Sequence, residues 1–204
     1  MAEYYRAINA AFQSNPNIDE IGLLMDSSND CVQLVGNKLG LFVLGIKPLF
    51  KYSVQEFDSI AKKLADNQSS LHIYVDEIIH LTRAILIVRA DIPYILNYRK
   101  ILIRNGYIDA RAEIWFMHLM LRKHPKATSA WNHVRWCFVN QLMASIPEST
   151  ASFLDEELQI CCEMSDSYPK NYFSWQHRIW LLHHMSQSQV MWSHISYNSI
   201  IIFA

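Results

Sequence analysis

The chain has 204 residues, 51% of them apolar, with 18 basic and 19 acidic side chains and a formal net charge of −1. That length can bury a sizeable core, while the charge balance excludes a global field that would draw nucleic acid or an anionic membrane surface. The longest apolar run, residues 39–46, is eight residues, far below the roughly 20 that span a bilayer, so no membrane span is expected.

Residues 1–6 lack a basic stretch leading into an apolar one, which reads as no secretory leader and a cytoplasmic location. The four cysteines, Cys31, Cys137, Cys161 and Cys162, contain no CxxC pair. Adjacent Cys161 and Cys162 do not readily bridge each other. No Cys, His or carboxylate spacing matches a zinc site, so reduced thiols and no metal in this chain are expected.

Taken along the chain, residues 2–13 read as a short helix stopped by the Asn15, Pro16, Asn17 turn. Residues 31–35, the Gly36-Asn37 pair and residues 39–46 read as a small β-hairpin, because Gly-Asn suits a two-residue turn. Residues 53–65 read as another helix and 66–70 as a polar linker. The segment 1–70 is thus one irregular unit.

From residue 71 the pattern is helical, interrupted by few of the 5 Gly and 6 Pro in the chain. Leu71, Tyr74, Ile78, Leu81, Ile85 and Val88 recur at steps of three and four, which places them on one helix face. Ala110, Ile114, Met117 and Leu121 do the same, as do Leu154, Leu158, Cys161, Ser165 and Tyr168. A second helix follows each of these. Aligned with one another, the second helices share an anchor at Leu96, Trp131 and Trp175. Five residues later stand Ile101, Trp136 and Trp180, and seven later Ile103, Phe138 and Leu182. Arg99 and Arg178 lie three residues after their anchors, where the middle copy has Val134 with Arg135 beside it. The anchors are 35 and 44 residues apart, and the difference is assigned to a lengthened loop at 144–152, rich in Ser, Thr and Pro. A period near 35 means stacked helix pairs. The expected architecture is all-α: an α-α superhelix of three antiparallel helix pairs over 71–185, with a divergent tail at 186–204.

Residues 169–182, PKNYFSWQHRIWLL, resemble the prenyltransferase α-subunit repeat family, whose pattern is P-x-N-Y-x-x-W-x-x-R-x-W-x-L. Residues 125–138 fit it less completely and 90–103 least, while tetratricopeptide repeats of similar length place Pro and small residues differently. Residues 15–23 and 37–40 are similar to a divergent member of the same family. Family α subunits continue with further repeats, so a C-terminally shortened form is one expectation.

The resemblance implies an α-like subunit that joins a Rab geranylgeranyltransferase-type β subunit and shares in transferring a geranylgeranyl group to cysteines of an acceptor protein. It places zinc and the lipid pocket in that β subunit and implies no transfer by this chain alone. It also implies that Lys170, Asn171 and Tyr172 contact the isoprenoid diphosphate or the partner around it. A cation beside a departing diphosphate stabilises charge that grows in the transition state.

Each of these residues has a plainer reading. Trp131, Trp136, Trp175 and Trp180 at helical spacing read first as inter-helix packing. Arg99 and Arg178 read as ligands for carbonyls at helix ends, and Lys170, Asn171 and Tyr172 as an ordinary helix start. His133 and His177 read as packing or hydrogen-bonding groups ahead of general bases. A helical scaffold that binds a protein without supporting transfer is the alternative function.

Overall fold

The computed structural model describes residues 2–25, 32–67, 70–142 and 147–187, and these are helical apart from one three-stranded sheet. Helix α1, Ala2–Ser14, turns Tyr4, Ile8 and Ala11 inward at steps of four and three. It stops at the expected turn, where the side chain of Asn15 accepts from the N–H of Asn17 at 2.8 Å. The same side chain donates to the carbonyl of Gly36 at 2.9 Å and to Oδ1 of Asn37 at 3.0 Å. The turn after α1 is therefore latched to a second turn 21 residues on.

That second turn joins β2, Val32–Val35, to β3, Lys38–Phe42, as an antiparallel hairpin. Gly36 takes φ +57°, a sign that two-residue hairpin turns require and that glycine adopts without steric penalty. Cys31 lies outside the described residues. A strand not anticipated from the sequence, β1 at Glu20–Leu24, pairs parallel to β3 and gives the order β1-β3-β2.

The hairpin's second strand stops at Phe42, four residues short of the expected end, because Val43 opens α2, Val43–Asp66. This corrects the strand reading of 43–46 and extends the helix expected at 53–65. Gly45 and Pro48 are what hid it, since both normally break helices. Pro48 sits near the helix start, and the carbonyl it leaves without an intrahelical donor belongs to exposed Leu44. Gly45 makes room for a neighbour: a Cβ there would come within 2.5 Å of the Tyr4 ring. The Tyr4 hydroxyl donates to the Phe42 carbonyl at 3.1 Å, fixing α1 to the strand–helix junction.

Six helices then fall where the anchor spacing predicts. They are α3 (Leu71–Val88), α4 (Pro93–Arg104), α5 (Ala110–Lys123), α6 (Thr128–Cys137), α7 (Pro147–Ser167) and α8 (Tyr172–Gln187). A π-helical turn, Phe138–Leu142, continues α6. The loop expected at 144–152 is shorter than predicted, since α7 starts at Pro147. Proline's fixed φ suits a first helical position, where its missing N–H costs nothing. Asp109 caps α5 by accepting from the N–H of Ala112 at 2.9 Å. Tyr168, expected in line with the α7 core face, lies past the helix end and is exposed. No helix among the described residues is long and apolar enough to cross a membrane.

The chain divides into two units, Met1–His124 and Pro125–Ala204. In the first, α2 packs on α3, α1 on both, and β1 on α5, burying Ile8, Leu39, Leu49, Ile78 and Ile85. In the second, α8 packs on α7 and α6 around Trp131, Phe138, Leu158 and Leu181.

The first unit also buries an ion pair. From α4, Arg99 donates through Nε to Oε1 of Glu113 at 2.8 Å and through Nη2 to Oε2 at 2.5 Å. Its Nη1 donates to Oγ1 of Thr82 on α3 at 2.8 Å. The guanidinium also lies 4.8 Å from the Phe116 ring centroid. Carbonyls at a helix end were the expected partners of Arg99. A bidentate carboxylate serves instead, because only a counter-charge offsets the loss of water around a cation that is 3% exposed. One side chain thus ties three helices together.

Two outcomes follow for stability. Gly36→Ala should cost about 1 kcal/mol, the penalty for placing a Cβ in the left-handed region, and a loss within error in thermal unfolding would contradict the turn. Glu113→Ala should cost about 3–5 kcal/mol by stranding Arg99, whereas an Arg99→Met, Glu113→Leu double variant should recover most of it. Urea denaturation measures both, and equal losses would show that the charges themselves are not the source.

Candidate functional site

The second unit holds the segment that the sequence singled out. The chain turns at Tyr168, whose carbonyl accepts from the N–H of Asn171 at 2.8 Å, and α8 begins at Tyr172. Asn171, 1% exposed, is the cap: its Oδ1 faces the N–H of Ser174 at 3.4 Å, and its backbone carbonyl accepts the Ser174 hydroxyl at 3.0 Å. The Ser174 hydroxyl also meets that of Ser165 on α7 at 2.9 Å. Asn171 therefore turns inward, away from any ligand at the surface. Lys170 and Tyr172, on either side of it, are exposed, and the Tyr172 hydroxyl accepts from Gln176 Nε2 at 2.8 Å. The triplet thus separates into one structural residue and two that face outward at a helix N-terminus, where unpaired N–H groups and the helix dipole favour negative charge.

The repeat tryptophans also differ among themselves. Trp131 is buried, and its Nε1 donates to the Pro125 carbonyl at 3.0 Å. Trp136, Trp175 and Trp180 are only half-buried, so inter-helix packing accounts for part of each ring. In the first unit Leu96 is buried while Ile101 is exposed. At the position seven residues after the anchor, Ile103 and Phe138 are core, but in α8 it is Leu181 that fills the interior and Leu182 is half-buried.

Behind this surface lies a second buried polar pair. His177 Nε2 is 2.9 Å from Oε1 of Glu157, both side chains being inaccessible. Its Nδ1 accepts from Arg135 Nε at 3.3 Å. A carboxylate on one side and an N–H on the other fix the neutral tautomer with its proton on Nε2. The ring stacks on Trp180 with centroids 5.4 Å apart and lies 5.2 Å from Trp131. His133 is likewise buried, stacked against Trp136. Both histidines are structural groups here.

Sequence reading did not pick out Glu113 and Glu157, although a signal existed. They are 44 residues apart, as are Trp131 and Trp175, or His133 and His177. Glu113 on α5 and Glu157 on α7 thus occupy one repeat position, where α3 has Ile78, and the partner varies: Arg99 in one unit, His177 in the other.

Arg178 is buried, donating to Cys162 Sγ at 3.0 Å beside the Trp175 ring, so a thiol is among its acceptors. Burial pushes the Cys161 thiol well above its ordinary pKa, which keeps it protonated and unreactive. Among the described residues, no three His, Cys, Asp or Glu side chains converge as metal ligands would.

On the outer side of α8, Tyr172, Trp175, Ile179 and Trp180 recur at helical steps. With Arg135 of α6 they border a groove of about 440 Å³. Tyr172 is 65% and Ile179 59% exposed. Arg135 lies 5.7 Å from the Trp180 ring centroid, and burial lowers its pKa from the usual arginine value. Arg135 and Ile179 were not in the sequence-derived set of candidate residues.

The model of the protein prenyltransferase alpha subunit repeat matches residues 112–141 and 154–185. The faint copy at 90–103 lies outside those ranges. Over 196 residues, 87% of this chain, the sequence is 35% identical to protein prenyltransferase alpha subunit repeat-containing protein 1-A of Xenopus laevis, covering 44% of that protein. It is 31% identical over 201 residues, 90% of this chain, to protein prenyltransferase alpha subunit repeat-containing protein 1 of Homo sapiens, covering 48% of it. A shorter likeness, 33% over 75 residues, covers 36% of this chain and 21% of the geranylgeranyl transferase type-2 subunit alpha of Saccharomyces cerevisiae. The chain spans about half the length of the repeat-containing proteins it matches. With the repeat matched at 112–141 and 154–185 and an identity of 31–35% over most of its length to repeat-containing relatives, the chain belongs to the protein prenyltransferase alpha subunit repeat family.

Proposed function

We propose that this chain acts as the α-like, non-metal-binding subunit of a protein geranylgeranyltransferase, pairing with a Rab geranylgeranyltransferase-type β subunit to prenylate protein cysteines. The observation that carries the reading is the α8 entry, where Lys170 and Tyr172 point outward on either side of a buried cap. The likeness to a geranylgeranyl transferase type-2 subunit alpha supports the choice of lipid and of partner.

In this reading the β subunit supplies the zinc that holds the acceptor thiolate, together with the lipid pocket. Lys170 supplies a mobile cation at a helix N-terminus, and the two together favour the negative charge that collects on diphosphate as its bond to the isoprenoid breaks. Asn171 acts indirectly, by fixing where the helix starts. Tyr172 offers a flat amphipathic ring to the partner, the type of residue that anchors interfaces. The scaffold alternative is favoured by a different fact: Asn171 is buried and its Oδ1 and backbone carbonyl face Ser174, as a capping residue's do at an ordinary helix start.

Co-expression with a β subunit and a prenyl-transfer assay on the pair distinguish the two. Association with turnover supports the proposal, and association without turnover supports the scaffold. In the active pair, Lys170→Ala should lower turnover roughly tenfold to a thousandfold while leaving association nearly intact. Tyr172→Ala should weaken association instead. Wild-type turnover and association in the double variant would end the assignment of these residues.

A further inference from the structure

The groove on α8 has features that the diphosphate reading does not use. Its apolar wall, Tyr172, Trp175, Ile179 and Trp180, follows one helix face over two turns, the spacing at which a second helix packs. Its polar lining is Gln176, His183 and the guanidinium of Arg135. That guanidinium is half-buried, its Nε is engaged by a neutral histidine, and one face approaches Trp180. No carboxylate among the described residues pairs with it. Burial disfavours its charge and so leaves an incentive for an anion to dock. Within the same chain, Arg99 shows how such a charge is satisfied: a helix packed alongside brings a glutamate to it in bidentate geometry. Residues 188–204 contain neither Asp nor Glu.

We infer that this groove docks an acidic amphipathic helix of a partner protein, with apolar side chains against Tyr172, Trp175 and Ile179 and a carboxylate on Arg135. The docking goes beyond the proposed transferase role, because it needs neither diphosphate nor prenyl transfer. The carboxylate fixes register and favours acidic over basic segments, while the aromatic wall provides most of the contact area.

The test selects a displayed library of random peptides on the full chain. The selected peptides are then measured against an Ile179→Asp variant, which changes only an exposed side chain. Selected peptides should carry apolar residues at helical spacing together with Asp or Glu. Changing that acid to Lys should weaken binding at least tenfold, and the preference should shrink at high salt. Gln176→Glu, which places a like charge in the groove, should weaken binding of the acidic peptide without altering the circular dichroism spectrum. Neutral or basic peptides winning the selection, or binding that ignores Ile179→Asp, would overturn the inference. So would concentration-dependent self-association through this face, or protection of Trp175 and Trp180 from oxidative labelling by residues 188–204, since either would show another occupant. None of these readouts depends on prenyl transfer, so the transferase reading can fail while the docking stands, and the reverse.

Discussion

A carboxylate buried on the first helix of a pair and held by a basic group on a second helix is the interaction around which each unit is arranged. Glu113 takes both arms of Arg99, and Glu157 faces His177. Apolar packing contributes most of the stabilisation of such helices but tolerates sliding by a residue or a turn, since one Leu-lined face resembles another. A charge that must find its partner does not tolerate it. Stranding such a group costs several kcal/mol, so the pairing selects one register. In the first unit the rest of the polar arrangement follows, with Thr82 receiving the third arm of Arg99 and Phe116 lying beneath the guanidinium.

The outward surface depends on that inner pair. Because His177 is fixed by Glu157, its Nδ1 can hold Arg135 at the edge of α6, and its ring supports Trp180 by stacking. Arg135 and Trp180 are two of the groove's borders. Tyr172 stands where the groove meets the helix entry, beside the Lys170 and Asn171 backbone. A partner covering α8 would meet an aromatic wall, one half-buried cation and a helix N-terminus together. This combination favours a ligand that is apolar along one side and anionic at chosen points.

Much of the helical part was legible in the sequence, because its signals are local or periodic. The steps of three and four in α3 and α5 gave the faces that are buried, and the anchors at Leu96, Trp131 and Trp175 gave the order of helices. What escaped was set by contacts between distant residues. β1 has no hairpin signal of its own and exists because β3 offers it a parallel edge. Gly45 marked a break in the local pattern, yet its role is to admit the Tyr4 ring from 41 residues away. The partners of Arg99 were misjudged because a helix-end carbonyl and a carboxylate 14 residues on cannot be told apart by spacing within one helix. Comparing whole repeats would have picked out Glu113 by its shared interval with Glu157, though not its pairing with Arg99, whose counterpart in the next copy is Val134. At the candidate site, Lys170, Asn171 and Tyr172 read alike in sequence, and only the fold separates a buried cap from two exposed neighbours.

The claim that polar keys set the register is tested most directly in the second unit by a double-mutant cycle on Glu157→Gln and His177→Gln, with stability measured by urea denaturation of the full chain. A coupling of at least about 1 kcal/mol, within the range seen for side chains in direct contact, accompanied by loss of Trp180 near-ultraviolet dichroism in each single variant, is the predicted result. Additive losses with an unchanged Trp180 signal would contradict it, and would show that apolar packing alone arranges α7 and α8.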